Sequence, residues 1–178
     1  MKQEFRIAGI GGQGIILLGT ILARAFALYE NLHTVQTTFY SAAYRGGLST
    51  TDIIVTDEEL YDLTVQTPTY LLLTAKKAFA ANTGLFNTAH YIIIDKHNII
   101  IDEEFQHHYQ TKSFLADLYT LAKEQHLKSR SANMIMLGII GKKSGVVSRE
   151  SLVCALRDVV KKDIDDNIKA VTVGYSLV

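Results

Sequence analysis

Three glycines near the start of the chain have the spacing of an anion-binding turn. They are Gly9, Gly11 and Gly14, within the run GIGGQG at residues 9–14. Without side chains, the backbone N–H groups of such a turn can approach a ligand closely, and the start of the following helix adds roughly half a positive charge. The turn therefore predicts a binding site for an anion or for the backbone of a neighbouring chain.

Gly12 and Gln13 add to this turn. A tight turn that lets a helix pack closely on a sheet would explain the three spaced glycines by itself. A second consecutive glycine gives freedom that such a turn does not require, and a glutamine amide can bond to a ligand or to a partner's backbone. The structural and the ligand-binding interpretations both stay open.

The pattern G-x-G-x-x-G is also the fingerprint of dinucleotide sites. A nicotinamide site further requires an acidic residue at the end of the second strand, about 20 residues on, to hold the ribose hydroxyls. Here the second predicted strand, residues 34–39, ends in Thr-Thr-Phe, and Glu30 lies before it. The sequence therefore disfavours a nicotinamide cofactor.

A second glycine-containing loop, residues 40–47, follows that strand. Arg45 is able to bind a phosphate or a carboxylate through two hydrogen bonds, Gly46 and Gly47 open the backbone beside it, and Tyr40 offers a ring and a hydroxyl. If the second strand runs parallel to the first, both loops emerge at one edge of the sheet, where α/β proteins bind ligands. The alternative is a plain turn with a surface ion pair.

Few other residues in the sequence indicate a catalytic or metal-binding site. The single cysteine, Cys154, excludes an internal disulfide and an iron–sulfur cluster held by this chain alone, because a cluster needs about four protein ligands. The adjacent His107 and His108 would point to opposite sides of a strand and could not bind one ion together. No histidine accompanies a serine or cysteine nucleophile. We expect no catalytic residue and no metal site.

The elements that position the two loops follow an α/β pattern. Strands are predicted at residues 4–9, 34–39, 48–55, 70–73, 91–94 and 99–101, the last as a hairpin with its predecessor. Helices are predicted at residues 15–28, 76–82, 114–126, 133–142, 148–162 and 165–175. The loop before the third strand is too short for a crossover helix, so that strand is expected to be antiparallel or at an edge. We predict one domain over residues 1–178, a three-layer α/β/α Rossmann-like fold with a mostly parallel, mixed sheet and a helical C-terminal third.

The balance of charges limits the kinds of partner that this chain is expected to bind. The chain has 18 basic and 18 acidic residues and a net charge of zero, whereas a nonspecific nucleic-acid binder needs a basic excess. Low net charge mildly favours association into an oligomer or a complex. The first residues lack the apolar run of a signal peptide, and the most apolar helix is too short to span a bilayer. We expect a cytoplasmic protein with no membrane and no nucleic-acid partner.

Three motifs together resemble the γ subunit of the 2-oxoacid:ferredoxin (acceptor) oxidoreductases, the family that acts on pyruvate, 2-oxoglutarate or ketoisovalerate. They are GIGGQGIILLG at residues 9–19, Tyr40 followed by RGG at residues 45–47, and N-x-x-x-L-G at residues 133–138. The similarity extends from Phe5 to Gly174-Tyr175. It implies an accessory, non-catalytic subunit of an assembly that oxidatively decarboxylates a 2-oxoacid to an acyl-CoA and passes electrons to ferredoxin or a similar acceptor.

The resemblance also implies partners and cofactors. Catalytic α and β subunits, with a ferredoxin-like subunit as a further candidate, would hold thiamine diphosphate, magnesium and iron–sulfur clusters. This chain would pack on them and contribute to the handling of coenzyme A. The candidate cofactor-binding residues are Gly9, Gly11, Gly12, Gln13, Gly14, Tyr40, Arg45, Gly46 and Gly47.

The second loop departs from the family pattern YGPExRGG. Ser41, Ala42 and Ala43 stand where glycine, proline and an acid are usual, so the resemblance does not extend to the shape and partner contacts of this loop. A stand-alone nucleotide- or CoA-binding module is the alternative function, and the isolated chain could form a homodimer.

Overall fold

The computed structural model describes residues 1–41, 46–61 and 63–178. Its strands are β1 (Lys2–Ile10), β2 (His33–Tyr40), β3 (Leu48–Thr56), β4 (Tyr70–Leu73), β5 (Tyr91–Asp95) and β6 (Ser113–Ala116). Its α-helices are α1 (Ile15–Arg24), α2 (Lys76–Ala81), α3 (Glu103–Tyr109), α4 (Leu118–Glu124), α5 (Ala132–Ser144), α6 (Arg149–Val159) and α7 (Ile164–Ser176). A π-helical turn, Ala25–Tyr29, extends α1.

The strands form one mixed sheet in the order β2-β3-β1-β4-β5-β6. β1, β4, β5 and β6 pair in parallel, whereas β3 is antiparallel to both of its neighbours. The antiparallel direction predicted for the third strand is confirmed, and β2 rather than β3 lies at the edge. Because β2 and β1 are each antiparallel to β3, they run in the same direction.

The two faces of the sheet carry separate cores, which confirms the predicted three layers. Phe5 and Ile7 of β1 face the cluster that includes α1 and the C-terminal helices α4–α7. Ala8 of β1 and Leu71 of β4 face the smaller cluster that includes α2 and α3. This division follows from the alternation of side chains along each strand. The helical C-terminal third is also as predicted.

Two local predictions are wrong. Residues 99–101 form no strand; they lead to α3, whose first turn is capped by the carboxylate of Asp102 through Phe105 N–H at 2.8 Å. The strand next to β5 is instead β6, at the start of the stretch 114–126 that we predicted as one helix. Asp117 ends that strand and caps α4 by accepting a hydrogen bond from Thr120 N–H.

Helices α5 and α7 cross at two glycines. A Cβ atom on Gly138 would collide with the α7 backbone at Val171 and Tyr175, and one on Gly174 would collide with the carbonyl of Ile135. This contact joins the glycine of the N-x-x-x-L-G motif to the closing Gly174-Tyr175 pair, and it holds the C-terminal helices as one layer.

Candidate functional site

The glycine turn connects the end of β1 to α1. Gly12 and Gly14 have φ angles of 95° and 71°, in the left-handed region that side chains other than glycine rarely adopt. Gly14 is the residue that precedes the first turn of α1. The backbone conformation therefore explains glycine at these two positions, independently of any ligand.

The side chain of Gln13 holds the turn against the end of β4. Its Oε1 accepts hydrogen bonds from the backbone N–H of Ile10 at 2.9 Å and from the hydroxyl of Thr74 at 2.8 Å. Its Nε2 donates to the carbonyl of Thr74 at 3.1 Å. Gly9 lies beneath this arrangement, where a Cβ atom would meet both Gln13 and Thr74. The Gln13 amide thus has intramolecular partners on both of its ends.

The two glycine loops meet at one edge of the sheet. Gly11 N–H donates to the carbonyl of Gly47 at 2.9 Å, and Lys77 Nζ donates to the carbonyl of Gly46 at 3.0 Å. Tyr40 ends β2 at the same edge and is 71% exposed. Arg45, the anion-binding candidate of this loop, lies outside the described residues. The expectation that both loops share an edge is met for the residues that the structure describes.

The sheet order gives a structural reason to disfavour the nicotinamide interpretation. In a dinucleotide-binding fold the acidic residue ends the strand beside the glycine turn. Here β3 lies between β1 and β2, so the end of β2 is one strand removed from the turn. On the other side of β1 lies β4, which brings Thr74 to the turn.

A cavity of about 930 Å³ opens beside the glycine turn, at the carboxyl ends of β1, β4 and β5. Its walls come from distant parts of the sequence. The turn contributes residues 12–14, the strand ends contribute Thr74 and Asp95, and the later loops and helices contribute chiefly His97, Tyr119, Arg130, Asn133, Lys161 and Lys162.

The charges around the cavity are mixed, with a basic side. Arg130, Lys161 and Lys162 line it, together with the N-terminal ends of α1 and α5. Asp163, which also lines it, forms ion pairs with Arg130 and with Lys128. The hydrogen bond from Lys128 lowers the pKa of Asp163, as do the charges of Arg130 and its neighbours. This side therefore suits an anion, with one carboxylate already paired to cations.

The cavity wall also carries a buried carboxylate. Asp95, at the end of β5, accepts hydrogen bonds from Asn98 Nδ2 at 2.8 Å and from the backbone N–H of His97 at 3.1 Å. Burial raises the pKa of Asp95, although these hydrogen bonds oppose the shift. The His97 ring stacks on Tyr119, with centroids 4.7 Å apart. This wall offers flat rings beside polar groups.

Asn133, the first residue of the N-x-x-x-L-G motif, connects α5 to the glycine turn. A Cβ atom on Gly14 would collide with its Nδ2, so the amide lies directly against the turn. Its Oδ1 is buried and has no hydrogen-bond partner among the described residues. Such a buried acceptor costs free energy unless a donor satisfies it. Asn133 also lines the cavity, although its Oδ1 is covered by the surrounding protein.

The sequence reasoning missed most of this cavity. It identified the turn, and it identified Asn133 only as part of a motif. It indicated no role for Asp95, Arg130, Lys161 or Lys162. Among the described residues, no group of His, Cys, Asp and Glu is arranged to hold a metal ion, and Cys154 is exposed. No described helix has the length and apolar character needed to cross a bilayer.

The fold and the two joined glycine loops define an α/β protein of Rossmann-like type whose glycine turn lacks the neighbouring acidic residue of a nicotinamide site. The family model for pyruvate ferredoxin/flavodoxin oxidoreductase matches residues 4–177. The chain belongs to this family, as the three motifs predicted.

Individual relatives agree over the whole length. The 2-oxoglutarate synthase subunit KorC of Methanothermobacter marburgensis is 32% identical over 100% of this chain and 97% of its own, and that of Methanocaldococcus jannaschii is 31% identical over 99% and 94%. The crystal structure of the keto/oxoacid ferredoxin oxidoreductase γ subunit from Geobacter sulfurreducens is 25% identical, with a TM-score of 0.78 over 98% of this chain and 96% of that chain.

One relative shows the same fold inside a longer chain. A chain of 2-oxoglutarate:ferredoxin oxidoreductase from Magnetococcus marinus, solved with 2-oxoglutarate, coenzyme A and succinyl-CoA bound, has a TM-score of 0.84. It is 23% identical, and the similarity covers 99% of this chain but only 31% of that one. The fold of this protein thus also occurs as one part of a larger polypeptide.

Proposed function

We propose that this chain is the accessory subunit of a 2-oxoglutarate:ferredoxin or similar oxidoreductase, which converts the 2-oxoacid to an acyl-CoA. The observation that carries the proposal is the end-to-end match to 2-oxoglutarate synthase subunits, with 97% of the M. marburgensis subunit covered. The reaction centre then lies on partner chains, catalytic α and β subunits, with a ferredoxin-like chain as a further candidate. A cytoplasmic location remains a prediction from the sequence.

The partner chains would supply the redox and decarboxylation chemistry. With one cysteine in the sequence and no metal-binding group among the described residues, this subunit offers no ligand set for an iron–sulfur cluster. We infer from the family resemblance that thiamine diphosphate, magnesium and the clusters are held by the partners. What remains for this chain is packing on them and the handling of coenzyme A.

We assign the nucleotide end of coenzyme A to this cavity. Phosphates would lie by Lys161, Lys162 and Arg130, near the N-terminal ends of α1 and α5, where cations and helix dipoles favour negative charge. Asn133, which lines the cavity beside the glycine turn, would contact the ligand. Coenzyme A would supply the thiol that accepts the acyl group, while the residues of this chain only bind and orient it.

Reconstitution tests the subunit assignment. The purified chain alone is expected to show no 2-oxoacid oxidation, and activity with 2-oxoglutarate, coenzyme A and an electron acceptor should require the catalytic chains. Catalytic chains that are fully active without this subunit would contradict an accessory role, as would full activity of this chain alone. A preference for pyruvate over 2-oxoglutarate would contradict the substrate but leave the class intact.

Steady-state kinetics of the reconstituted complex test the coenzyme A site. Lys161→Ala combined with Lys162→Ala should raise KM for coenzyme A by about tenfold, because charge-assisted contacts to phosphate are lost, with little change in kcat. Arg149→Ala, which removes an exposed cation that does not line the cavity, should leave KM unchanged. An unchanged KM for coenzyme A in the double variant would indicate that coenzyme A binds at another site.

The stand-alone alternative predicts binding without partners. Calorimetry of the isolated chain with CoA, ADP and NAD distinguishes this alternative from the accessory subunit, and Arg45→Ala tests the anion-binding candidate of the second loop. Tight NAD binding would overturn the reasoning from the missing acid. Binding of none of the three would leave an architectural role for the chain.

A further inference from the structure

One edge of the sheet is β2, a strand of eight residues that pairs with β3 on one side and with no other described strand. Its pairing with β3 and the hydrogen bond from Ser41 N–H to the Leu48 carbonyl place the hydrogen-bonded pairs at the odd-numbered residues. The backbone N–H and C=O groups of the even-numbered residues therefore point away from the sheet. No hydrogen bond to these outward groups is found in the part of the chain that the structure describes. They belong to Thr34, Gln36, Thr38 and Tyr40.

This edge lacks the features that usually prevent strands from pairing between molecules. Natural sheets protect their edges with charged residues, proline, bulges or short strands. The sequence HTVQTTFY of β2 contains no lysine, arginine, acid or proline. The opposite edge strand, β6, has only four residues and is flanked by Lys112. The two edges thus differ, and only β2 is long and uncharged.

The side chains of β2 complement a second copy of the same strand. Pairing about a two-fold axis must be antiparallel, and an axis at Thr37 would place Phe39 opposite Val35 and Tyr40 opposite Thr34 of the other copy. Aromatic and β-branched residues stabilise each other in such cross-strand pairs. Phe39 is 62% exposed in the single chain, while Val35 is half-buried. Phe39 and Val35 would form a non-hydrogen-bonded pair, in which opposing side chains come closest.

Charge does not oppose this association. The strand carries no charged side chain apart from the titratable His33 at its start, and the whole chain has a net charge of zero. We propose that β2 pairs antiparallel with β2 of a second copy of this chain, so that two sheets join into one continuous sheet. The dimer uses a different part of the molecule from the coenzyme A cavity, so it does not depend on the function proposed above.

Sedimentation of the full chain over a wide range of concentrations tests the dimer. The wild type should form a reversible dimer. The double variant Val35→Lys, Phe39→Lys sets like charges opposite each other twice across the axis and should raise the dimer dissociation constant by about tenfold or more. The matched double variant Val35→Lys, Phe39→Glu sets opposite charges at the same places and should restore association.

Two controls separate pairing from misfolding or from a general surface effect. Ile100→Lys adds a charge at a side chain that is 95% exposed and lies outside β2, and it should leave the dimer unchanged. Circular dichroism of both double variants confirms that they are folded. A monomeric wild type would overturn the proposal, and so would a dimer that persists equally in both double variants.

Disulfide crosslinking tests the position of the axis. In a Cys154→Ser background, Thr37→Cys places two thiols opposite each other in a non-hydrogen-bonded pair, where Cα atoms about 4.5 Å apart fit a disulfide. Oxidation should therefore give a covalent dimer. Thr38→Cys, whose side chain points to the other face and lies opposite Gln36, should crosslink far less. Equal crosslinking of both variants, or crosslinking of neither, would overturn this pairing.

Discussion

Gln13 is the side chain that ties the glycine turn to the neighbouring strand β4. Its amide bonds to the backbone of Ile10 and to both the hydroxyl and the carbonyl of Thr74. A glutamine in this position therefore orients the N–H groups of the turn, whatever ligand or partner approaches them. Its contribution to binding would be indirect, through the shape of the turn.

Replacing Gln13 should destabilise the fold as well as the site. Gln13→Leu has a similar length but leaves Ile10 N–H and the Thr74 carbonyl without their partner, which costs about 1–3 kcal/mol for buried groups. Denaturant unfolding measures the loss. Gln13→Glu keeps the two accepted hydrogen bonds and sets an oxygen against the Thr74 carbonyl, so its stability should lie between the two. If Gln13→Leu were as stable as the wild type, Gln13 would not hold the glycine turn against β4.

An ion pair on the sheet is a second residue-level feature with a measurable consequence. Arg6 of β1 donates two hydrogen bonds to Asp52 of β3, at 2.8 and 2.5 Å, and Asp52 is 3% exposed. Asp52→Ala leaves the guanidinium without its partner and should lower the free energy of unfolding by about 3–5 kcal/mol. Arg6→Met combined with Asp52→Leu removes both charges and should recover most of the loss.

An exposed ion pair serves as the control for this experiment. Glu150→Ala breaks the contact with Arg149, in which both side chains are largely exposed, and should cost less than about 1 kcal/mol. If Asp52→Ala were no more harmful than Glu150→Ala, the β1–β3 pair would not be the buried structural link that its geometry indicates.

At the level of elements, the crossing of α5 and α7 depends on close backbone contact. Gly138→Ala should destabilise the protein by about 1–3 kcal/mol because the added methyl overlaps the α7 backbone, even though alanine favours a helix by about 1 kcal/mol over glycine. Gly84→Ala is the matched control, since a Cβ atom there meets nothing within 4 Å. In thermal unfolding, Gly138→Ala should therefore lower Tm, whereas Gly84→Ala should raise it or change it less. Equal changes in Tm would contradict the close packing at Gly138.

At the level of the whole molecule, Asp163 connects two parts of the C-terminal layer at the cavity rim. It lies between α6 and α7 and pairs with Lys128 and Arg130, which precede α5. The hydrogen bond from Lys128 lowers its pKa in the folded chain. As the pH falls, the Asp163 carboxylate is therefore protonated in the unfolded chain before it is protonated in the folded chain. The stability that its ion pairs contribute is lost as the pH falls through the pKa of Asp163 in the folded chain.

Asp163→Asn should flatten the acid side of the stability profile. The loss of stability below the usual carboxyl range should become shallower than in the wild type, and chemical unfolding at a series of pH values measures it. The φ of 51° at this position is tolerated by asparagine. Asp165→Asn makes the same change of charge two residues along the chain and should not flatten the profile to the same degree. Identical profiles for the two variants would contradict the role of the rim pair.

Much of this protein was determined by the sequence itself, wherever the signal is local. Alternation and helical spacing indicated the α/β class, the mixed sheet and the helical C-terminal third, because each element's period depends on neighbouring residues. The left-handed turn at Gly12 and Gly14 and the short loop that makes β3 antiparallel are also local. The three motifs were sufficient to identify the family.

Other features were decided only by the tertiary structure. The sequence predicted a hairpin at residues 99–101 and a helix from residue 114, because short apolar runs look alike until a neighbour such as β5 selects one as its partner. The cavity joins Asp95, Arg130, Asn133 and Lys161, whose closeness depends on how the chain returns to the sheet edge. The partners of Gln13 and the open edge of β2 are likewise set by strand order, a property of long-range pairing that local pattern does not encode.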